Sequence, residues 1–344
     1  MNLADAQALF SPEPGWLNTA SYGIPPQPAW DELQHALDKW RRGVGSWESW
    51  GNAAERGRRA FAGLIGADPD DVGIGSHVSQ LVGLVAGSLP PGTRVLAPEI
   101  EFSSNLYPYL VHEEHGVTVE TVPLAELVGR IDSDVDVVAL SVVQSATGEV
   151  SDLAEVGAAA RQAGALLAVD ATQAVGWLPV DVADVDVLIG TAYKWLCSPR
   201  GTAFIYVAPE LQDRITPLGA SWYAGEDVHS SYYGREMRLA AGARRFDLSP
   251  AWQAWLGTAP AIELIADVGV EAIHAYDVAL ANRFREGLGL EPSNSAIVST
   301  SVDDAEHKLA AAGIRASSRA GSLRVACHLY TTDDDVDRAL EALR

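Results

Sequence analysis

With 344 residues, 48% of them hydrophobic, the chain can bury a sizeable core and has room for one large domain and a smaller one. A formal net charge of −22 argues against nucleic acid and anionic membrane surfaces as partners. The only cysteines, Cys197 and Cys327, are too few for a disulfide framework or a cysteine-rich zinc site, and no metal is expected. The start MNLADAQALF carries acid where a signal peptide needs base, and no apolar run reaches membrane-span length, so a cytoplasmic protein is expected.

Residues 1–25 are irregular and rich in Pro and Gly. A helix is predicted over 28–42, with Trp30, Leu33, Leu37 and Trp40 as its apolar face, and a second over 52–65. Strands and helices then alternate. Strands are predicted at 94–97, 117–122, 135–143, 165–170, 185–190 and 202–207, and helices at 77–88, 103–113, 153–163 and 208–214. Short β-rich runs between helices imply an α/β fold with a mostly parallel sheet flanked by helices. Residues 221–250 form a long connection, and the aromatic loop 221–233 within it is expected to shape a side-chain pocket. A helical stretch begins near Trp252. The last seventy or so residues read as a smaller α+β domain: helix 267–287, strand 296–300, helix 302–312, strand 323–329 and helix 333–343. The division expected is 22–262 for the large domain, and 1–21 with 263–344 for the small one.

The chain has three lysines. Lys39 lies beside Asp38, and Lys308 follows Asp304 at ion-pair spacing on a helix; both read as surface charges. Lys194 instead follows the apolar run VDVLIG and stands between Tyr193 and Trp195. Burial can strip a lysine of its proton, and a neutral amine can attack a carbonyl to form a Schiff base. The plainer reading is a lysine snorkelling from a strand end.

Ligands of open α/β sheets bind at the carboxyl ends of the strands. Asp170 and Gln173 fall at one such tip, Thr191, Tyr193 and Lys194 at the next, and Gln144 and Ser145 at a third. Glu101 and Phe102 follow another strand, and Gly75-Ser76-His77 opens a helix. A helix N-terminus suits a phosphate. A carboxylate keeps a pyridine nitrogen protonated, and an aromatic side chain can stack on the ring. Together these parts suit a charged heteroaromatic phosphate. Singly, Asp170 could be a cap and Phe102 a core residue.

These segments resemble the class V aminotransferases of pyridoxal-phosphate fold type I, which include cysteine desulfurases, isopenicillin N epimerase-like proteins and kynureninase. The resemblance spans WLNTASYG (16–23), GSHVSQLV (75–82), EFSSN (101–105), AVDATQAVG (168–176), GTAYKWLCSPRG (190–201), RRFDLSPAW (244–252) and LRVACHLYTTDDDVD (323–337). It implies pyridoxal 5′-phosphate as cofactor, Lys194 as the Schiff-base lysine, and Asp170 and Gln173 at the pyridine nitrogen and phenolic oxygen. It also implies Phe102 on the ring, with Ser76, His77, Ser145, Thr191 and Tyr193 as further cofactor contacts. Ser249 is implied to reach the phosphate of a partner subunit in a homodimer, and Arg324 to grip a substrate carboxylate. An arginine there, aimed at the cleft between domains, costs free energy if buried unpaired; its alternative partner is an acid of the large domain.

Desulfurases carry a cysteine on the loop before the arginine, whereas GIRASSRAGSL has none, and Cys327 is expected to face away from Arg324. Cys197 reads as a buried filler. A class V aminotransferase acting on an α-amino acid is expected. The alternatives are a C–S lyase, an epimerase or a desulfurase-like enzyme. The incomplete fingerprint VGIGSHVS leaves a nicotinamide oxidoreductase as a distant alternative, and an inactive scaffold as another.

Overall fold

A computed structural model describes residues 1–344. The central sheet has seven strands: β1 (Val72–Gly75), β2 (Arg94–Pro98), β3 (Thr118–Val122), β4 (Val137–Ser141), β5 (Leu166–Asp170), β6 (Val187–Thr191) and β7 (Ala203–Val207). Their spatial order is β1-β7-β6-β5-β4-β2-β3. From β3 through β6 all pairs are parallel, and β7 runs antiparallel to both β6 and β1. Every residue of β4, β6 and β7 is buried, because helices cover both faces of the sheet; hence their unbroken apolar runs. The chain direction across the sheet reverses between β2 and β4, which opens a crevice at the carboxyl ends of these strands.

The covering helices are α1 (Leu3–Gln7), α2 (Gln27–Arg41), α3 (Trp47–Leu64), α4 (Val78–Ala86), α5 (Ser103–Leu110), α6 (Leu153–Ala163) and α7 (Trp252–Val268). Local chemistry sets the limits of α6: the Asp152 side chain accepts from Glu155 N, and Gly164 ends the helix at φ 79°. The helix after α7, α8 (Val270–Gly287), starts beyond Gly269, whose φ of 91° breaks the run. Strands β8 (Ile297–Thr300), β9 (Ser317–Arg319) and β10 (Ser322–Ala326) form an antiparallel sheet in the order β8-β10-β9, packed with α9 (Ala305–Ala311) and α10 (Asp333–Leu343). It has its own small core, including Leu17, Phe284, Val325, Cys327 and Val336, separate from the main core. Val325 and Cys327 thus face that core while Ala326 packs on the main one, as alternation requires.

The structure departs from the sequence-based expectations in six places. Strand β1, VGIG, is not among the expected strands. It is held as an edge strand by the 242–248 segment: Ile74 N donates to Asp247 Oδ1 at 2.8 Å, and Leu248 N to Ile74 O at 3.2 Å. Buried Arg58 pairs with Asp247 at 2.6 Å and fastens that segment to α3. Strand β9 was likewise unexpected. Residues 208–214 make only one tight turn, Pro209–Leu211, since so short a segment cannot repay helix nucleation. Helix α3 starts at Trp47 rather than 52, because Trp47 and Trp50 pack on Trp252, with ring centroids 6.2 and 5.7 Å apart. Helix α2 buries Ala29 and Ala36, leaving Trp30 and Trp40 more than half exposed, so the tryptophan face is not a core face of this chain. Lys308 does not pair with Asp304. That residue is the N-cap, outside helical geometry at φ 54°, and it pairs with His307, while Lys308 Nζ donates to Leu343 O.

Candidate active site

The tips of β4, β5 and β6 are brought level by register, with Ser141 opposite Asp170 and Asp170 opposite Ile189. Beyond them lies a cavity of about 190 Å³ lined by His77, Phe102, Ser145, Asp170, Gln173, Thr191, Tyr193 and Lys194. Residues drawn from five separate stretches of sequence therefore meet at one point. Ser76, Ser249 and Arg324 are not in its wall.

Lys194 is 6% exposed, and its Nζ makes no hydrogen bond or ion pair within the chain. That amine stands 5.5 Å from the Phe102 ring centroid and 5.7 Å from that of Tyr193. Burial lowers its pKa to about 8; the Asp170 carboxylate opposes the shift and Arg324 adds to it. The turn carrying it is tightly packed. A Cβ on Gly23 would stand 2.1 Å from Lys194 O, and one on Gly176 2.6 Å from Trp195 O. Cys197, fully buried as expected of a filler, closes the turn at φ 53°.

Asp170 is raised to about 6 by burial, against the hydrogen bonds from Thr172 that lower it. Its Oδ1 accepts from Thr172 N at 2.8 Å, so the turn-forming role is real, but its second oxygen has no partner in the chain. Thr191 Oγ1 is buried without a partner. Gln173 donates to Ala20 O at 3.0 Å and Ser145 Oγ at 3.1 Å, and accepts from Trp195 Nε1 at 2.8 Å. Val78 and Ser79, whose amides open α4, line the cavity beside His77; the Ser76 amide is instead taken by Gln80 Oε1 at 3.1 Å.

Arg324 is 1% exposed and has no carboxylate partner, so the expected alternative of an acid from the large domain is not realised. It donates to Ser145 O at 2.6 Å, Ser145 Oγ at 3.0 Å and Ser21 Oγ at 3.0 Å, one side chain behind the cavity wall. Burial lowers its pKa to about 10, and neighbouring Arg319 adds to the effect. Ser249 is exposed, just after the 242–248 segment beside β1. The 221–233 aromatics do not shape this cavity. Trp222 packs on Trp47 at 5.1 Å and Tyr233 is 94% exposed, because α3 rather than the strand tips offers that loop an apolar surface.

Sequence reasoning passed over Arg200, which lines the cavity and sits 5.0 Å above the Tyr193 ring. Its signal lay in the same segment as Lys194. Glu101 is also more than a neighbour of Phe102. It is buried and accepts from Ser141 N at 2.6 Å, the Ser141 hydroxyl, Gln144 Nε2 at 3.2 Å and Phe102 N at 2.8 Å. It thereby bridges the crevice between β2 and β4 and fixes the Phe102 backbone. A second, larger and mainly apolar cavity of about 450 Å³ shares Tyr193 and Arg200 with the first and is walled by Ile24, Trp30 and Leu33.

The sequence pattern of the family described as aminotransferase class-V matches residues 26–318. The chain belongs to that family. An uncharacterized aminotransferase of Bacillus subtilis, YcbU, is 26% identical over 339 residues, covering 92% of this chain and 88% of that protein. The isopenicillin N epimerase of Streptomyces clavuligerus is 28% identical, covering 83% and 82%. Among solved structures, the cysteine desulfurase CsdA of Escherichia coli superposes with a TM-score of 0.84 at 22% identity, covering 99% and 97%. The cystine C–S lyase C-DES does so with 0.87 at 21%, covering 96% and 97%. The fold of this class V chain is thus fold type I, and its cofactor is pyridoxal 5′-phosphate. The residues present fit that group: an unbonded buried amine, a carboxylate oxygen and a threonine hydroxyl without partners, and helix-opening amides share one cavity.

Proposed function

We propose that this class V chain is an aminotransferase acting on an α-amino acid through Lys194. The observation that carries the reading is the buried, unbonded Lys194 amine beside Asp170. When bound, pyridoxal phosphate supplies an aldehyde for amines to condense with and a ring that accepts electron density from a bond breaking at the substrate α-carbon. Lys194 Nζ would hold the aldehyde carbon and, once released from it, would be the group that moves the α-proton, its burial keeping the free amine's pKa down at about 8. Asp170, through its free oxygen, would hold a proton at the ring nitrogen. Phe102, in the cavity wall, would cover a ring face and exclude water. The amides of Val78 and Ser79 would take the phosphate, with His77 and Ser76 at the same helix start, while Thr191, Tyr193, Ser145 and Gln173 would border the ring.

Lys194 belongs to the large domain (22–262) and Arg324 to the small one (1–21 and 263–344), so the substrate binds between them. A substrate carboxylate would give Arg324 the charged partner it lacks. Both cysteines are fully buried and neither lines the cavity, which favours this reading over desulfuration through a protein thiol. Burial also pushes the Cys327 thiol up, away from thiolate character.

The test supplies the holoenzyme with a panel of amino acids and a 2-oxo acid acceptor. Amino-group transfer is expected; release of ammonia, sulfide or persulfide, or racemisation without transfer, would replace the aminotransferase reading by the lyase, desulfurase or epimerase one. In the same assay Arg324→Lys raises KM for the amino acid roughly 10- to 100-fold, because lysine cannot reproduce the guanidinium fork, and leaves the cofactor spectrum unchanged. Unchanged amino-acid affinity would remove Arg324 from the substrate site.

The working form is a homodimer. Exposed Ser249 lies outside the cavity of its own chain, and Trp30, Tyr107 and Val111 present apolar surface near the two cavities. Sedimentation is expected to give a two-chain species, and mixing inactive Lys194→Ala with inactive Ser249 variants to restore part of the activity. A fully active monomer would refute both.

A further inference from the structure

We infer that His328, oriented by Asp277, is a positioning residue that pins the Lys194 turn to the small domain by donating a hydrogen bond to the Trp195 carbonyl. The inference rests on Lys194 being the reactive amine. His328 and Asp277 are both 0% exposed. His328 Nε2 lies 2.9 Å from Trp195 O, and Nδ1 lies 2.8 Å from Asp277 Oδ2. A carbonyl oxygen can only accept, so Nε2 carries the proton and donates. The carboxylate on the other side of the ring then fixes its orientation, as outer partners do for functional imidazoles. Acceptors face both ring nitrogens, so Nδ1 donates to Asp277 and Nε2 to Trp195; burial opposes charge on the ring, but the Asp277 carboxylate raises the imidazole's pKa.

Local structure does not account for this pair. Strand β10 ends at Ala326, and the bend that follows is closed by Thr331: His328 N donates to Thr331 Oγ1 at 2.9 Å, and Thr331 N to His328 O at 2.6 Å. The imidazole is free to reach across 133 residues of sequence to Trp195. Asp277, on α8, keeps one carboxylate oxygen buried and unpartnered, a cost that a purely stabilising pair would not need.

At the receiving end, the flanks of the turn are held by Gly23 N on Tyr193 O at 2.9 Å and Ser198 N on Ala192 O at 3.1 Å, but the Trp195 carbonyl has little else to hold it. Lys194 O takes Cys197 N at 3.1 Å, Cys197 is left-handed at φ 53°, and the only other donor near Trp195 O is the Cys197 thiol at 3.8 Å. The Trp195 side chain is tied separately, to Gln173. His328 therefore fixes the peptide next to Lys194, and it lies on the same stretch as Arg324. One segment of the small domain thus positions the reactive amine and carries the arginine expected to hold the substrate carboxylate.

The experiment compares His328→Gln, whose amide nitrogen can replace Nε2, with His328→Asn, which can keep Asp277 but falls short of Trp195. Amide hydrogen exchange of the apoprotein is read at Cys197 and Ser198, and kcat and KM are read on the holoenzyme. His328→Asn is expected to speed exchange at those amides and lower kcat by roughly 10- to 100-fold with KM nearly unchanged, while His328→Gln stays within about threefold of the parent. Equal loss in the two variants, or unchanged exchange in His328→Asn, overturns the inference. If His328→Asn does not fold, Asp277→Asn takes its place: faster exchange confined to 194–198 supports the inference, and unchanged exchange overturns it. Failure of the underlying reading is separable, since it would appear as a borohydride-trapped cofactor on a lysine other than Lys194.

Discussion

Lys194→Ala is expected to abolish turnover, a loss of at least about 10²–10⁴-fold from the missing acid–base group alone. It should also abolish the borohydride-trapped cofactor label, which in the parent maps to Lys194. Lys39 is exposed on α2, and Lys308 reaches only the end of α10, so neither can substitute. The pH dependence has a definite sign. An ammonium has no lone pair, so the amine reacts only when neutral. Because burial lowers the pKa from 10.5 to about 8, labelling of the apoprotein by pyridoxal phosphate should climb with pH through about 8 and then level off. An ordinary lysine would still be climbing at pH 10. Label on Lys39 or Lys308, or a profile with its midpoint near 10.5, would remove Lys194 from its role.

Asp170→Ala should retain part of the cofactor affinity and lose roughly 10²–10³-fold in kcat. Without the carboxylate the chain would have no group to hold a proton at the ring nitrogen, which would weaken the sink for electron density. The variant should also be about 1 kcal/mol less stable, since Thr172 N loses the oxygen it donates to. Measuring kcat and the urea midpoint together separates the two roles. Near-normal turnover with reduced stability would make Asp170 a turn-former and nothing more.

Both residues were legible because each breaks a local rule. Lys194 follows an apolar strand in a chain that otherwise relies mainly on arginine, and Asp170 ends a strand whose other residues are hydrophobic. Phe102, Thr191 and Tyr193 followed from their place after strands, since period and strand end can be read along the chain. Arg200 was not legible in that way. An arginine in a Pro-Gly loop looks like any surface charge until the fold lays it over Tyr193. Glu101 was visible only as an acid before an aromatic. Three of its four hydrogen bonds come from Ser141 and Gln144, about 40 positions away, and no spacing rule covers a distance of that kind.

The sequence by itself determined the alternation of strands and helices, the mostly parallel sheet, the separate small sheet near the C-terminus and the amine at the strand tips. These depend on hydrophobic period and on residues whose chemistry is unusual for their surroundings, and both are local properties. Only the tertiary structure decided that Arg324 has no acid for a partner, that β1 is an edge strand under the 242–248 segment, that the tryptophans of α2 stay exposed, and that His328 meets the Trp195 carbonyl. Each of these depends on which distant surface a side chain meets. That is set by packing across the whole chain, where burial, unpaired charge and competing partners are settled together.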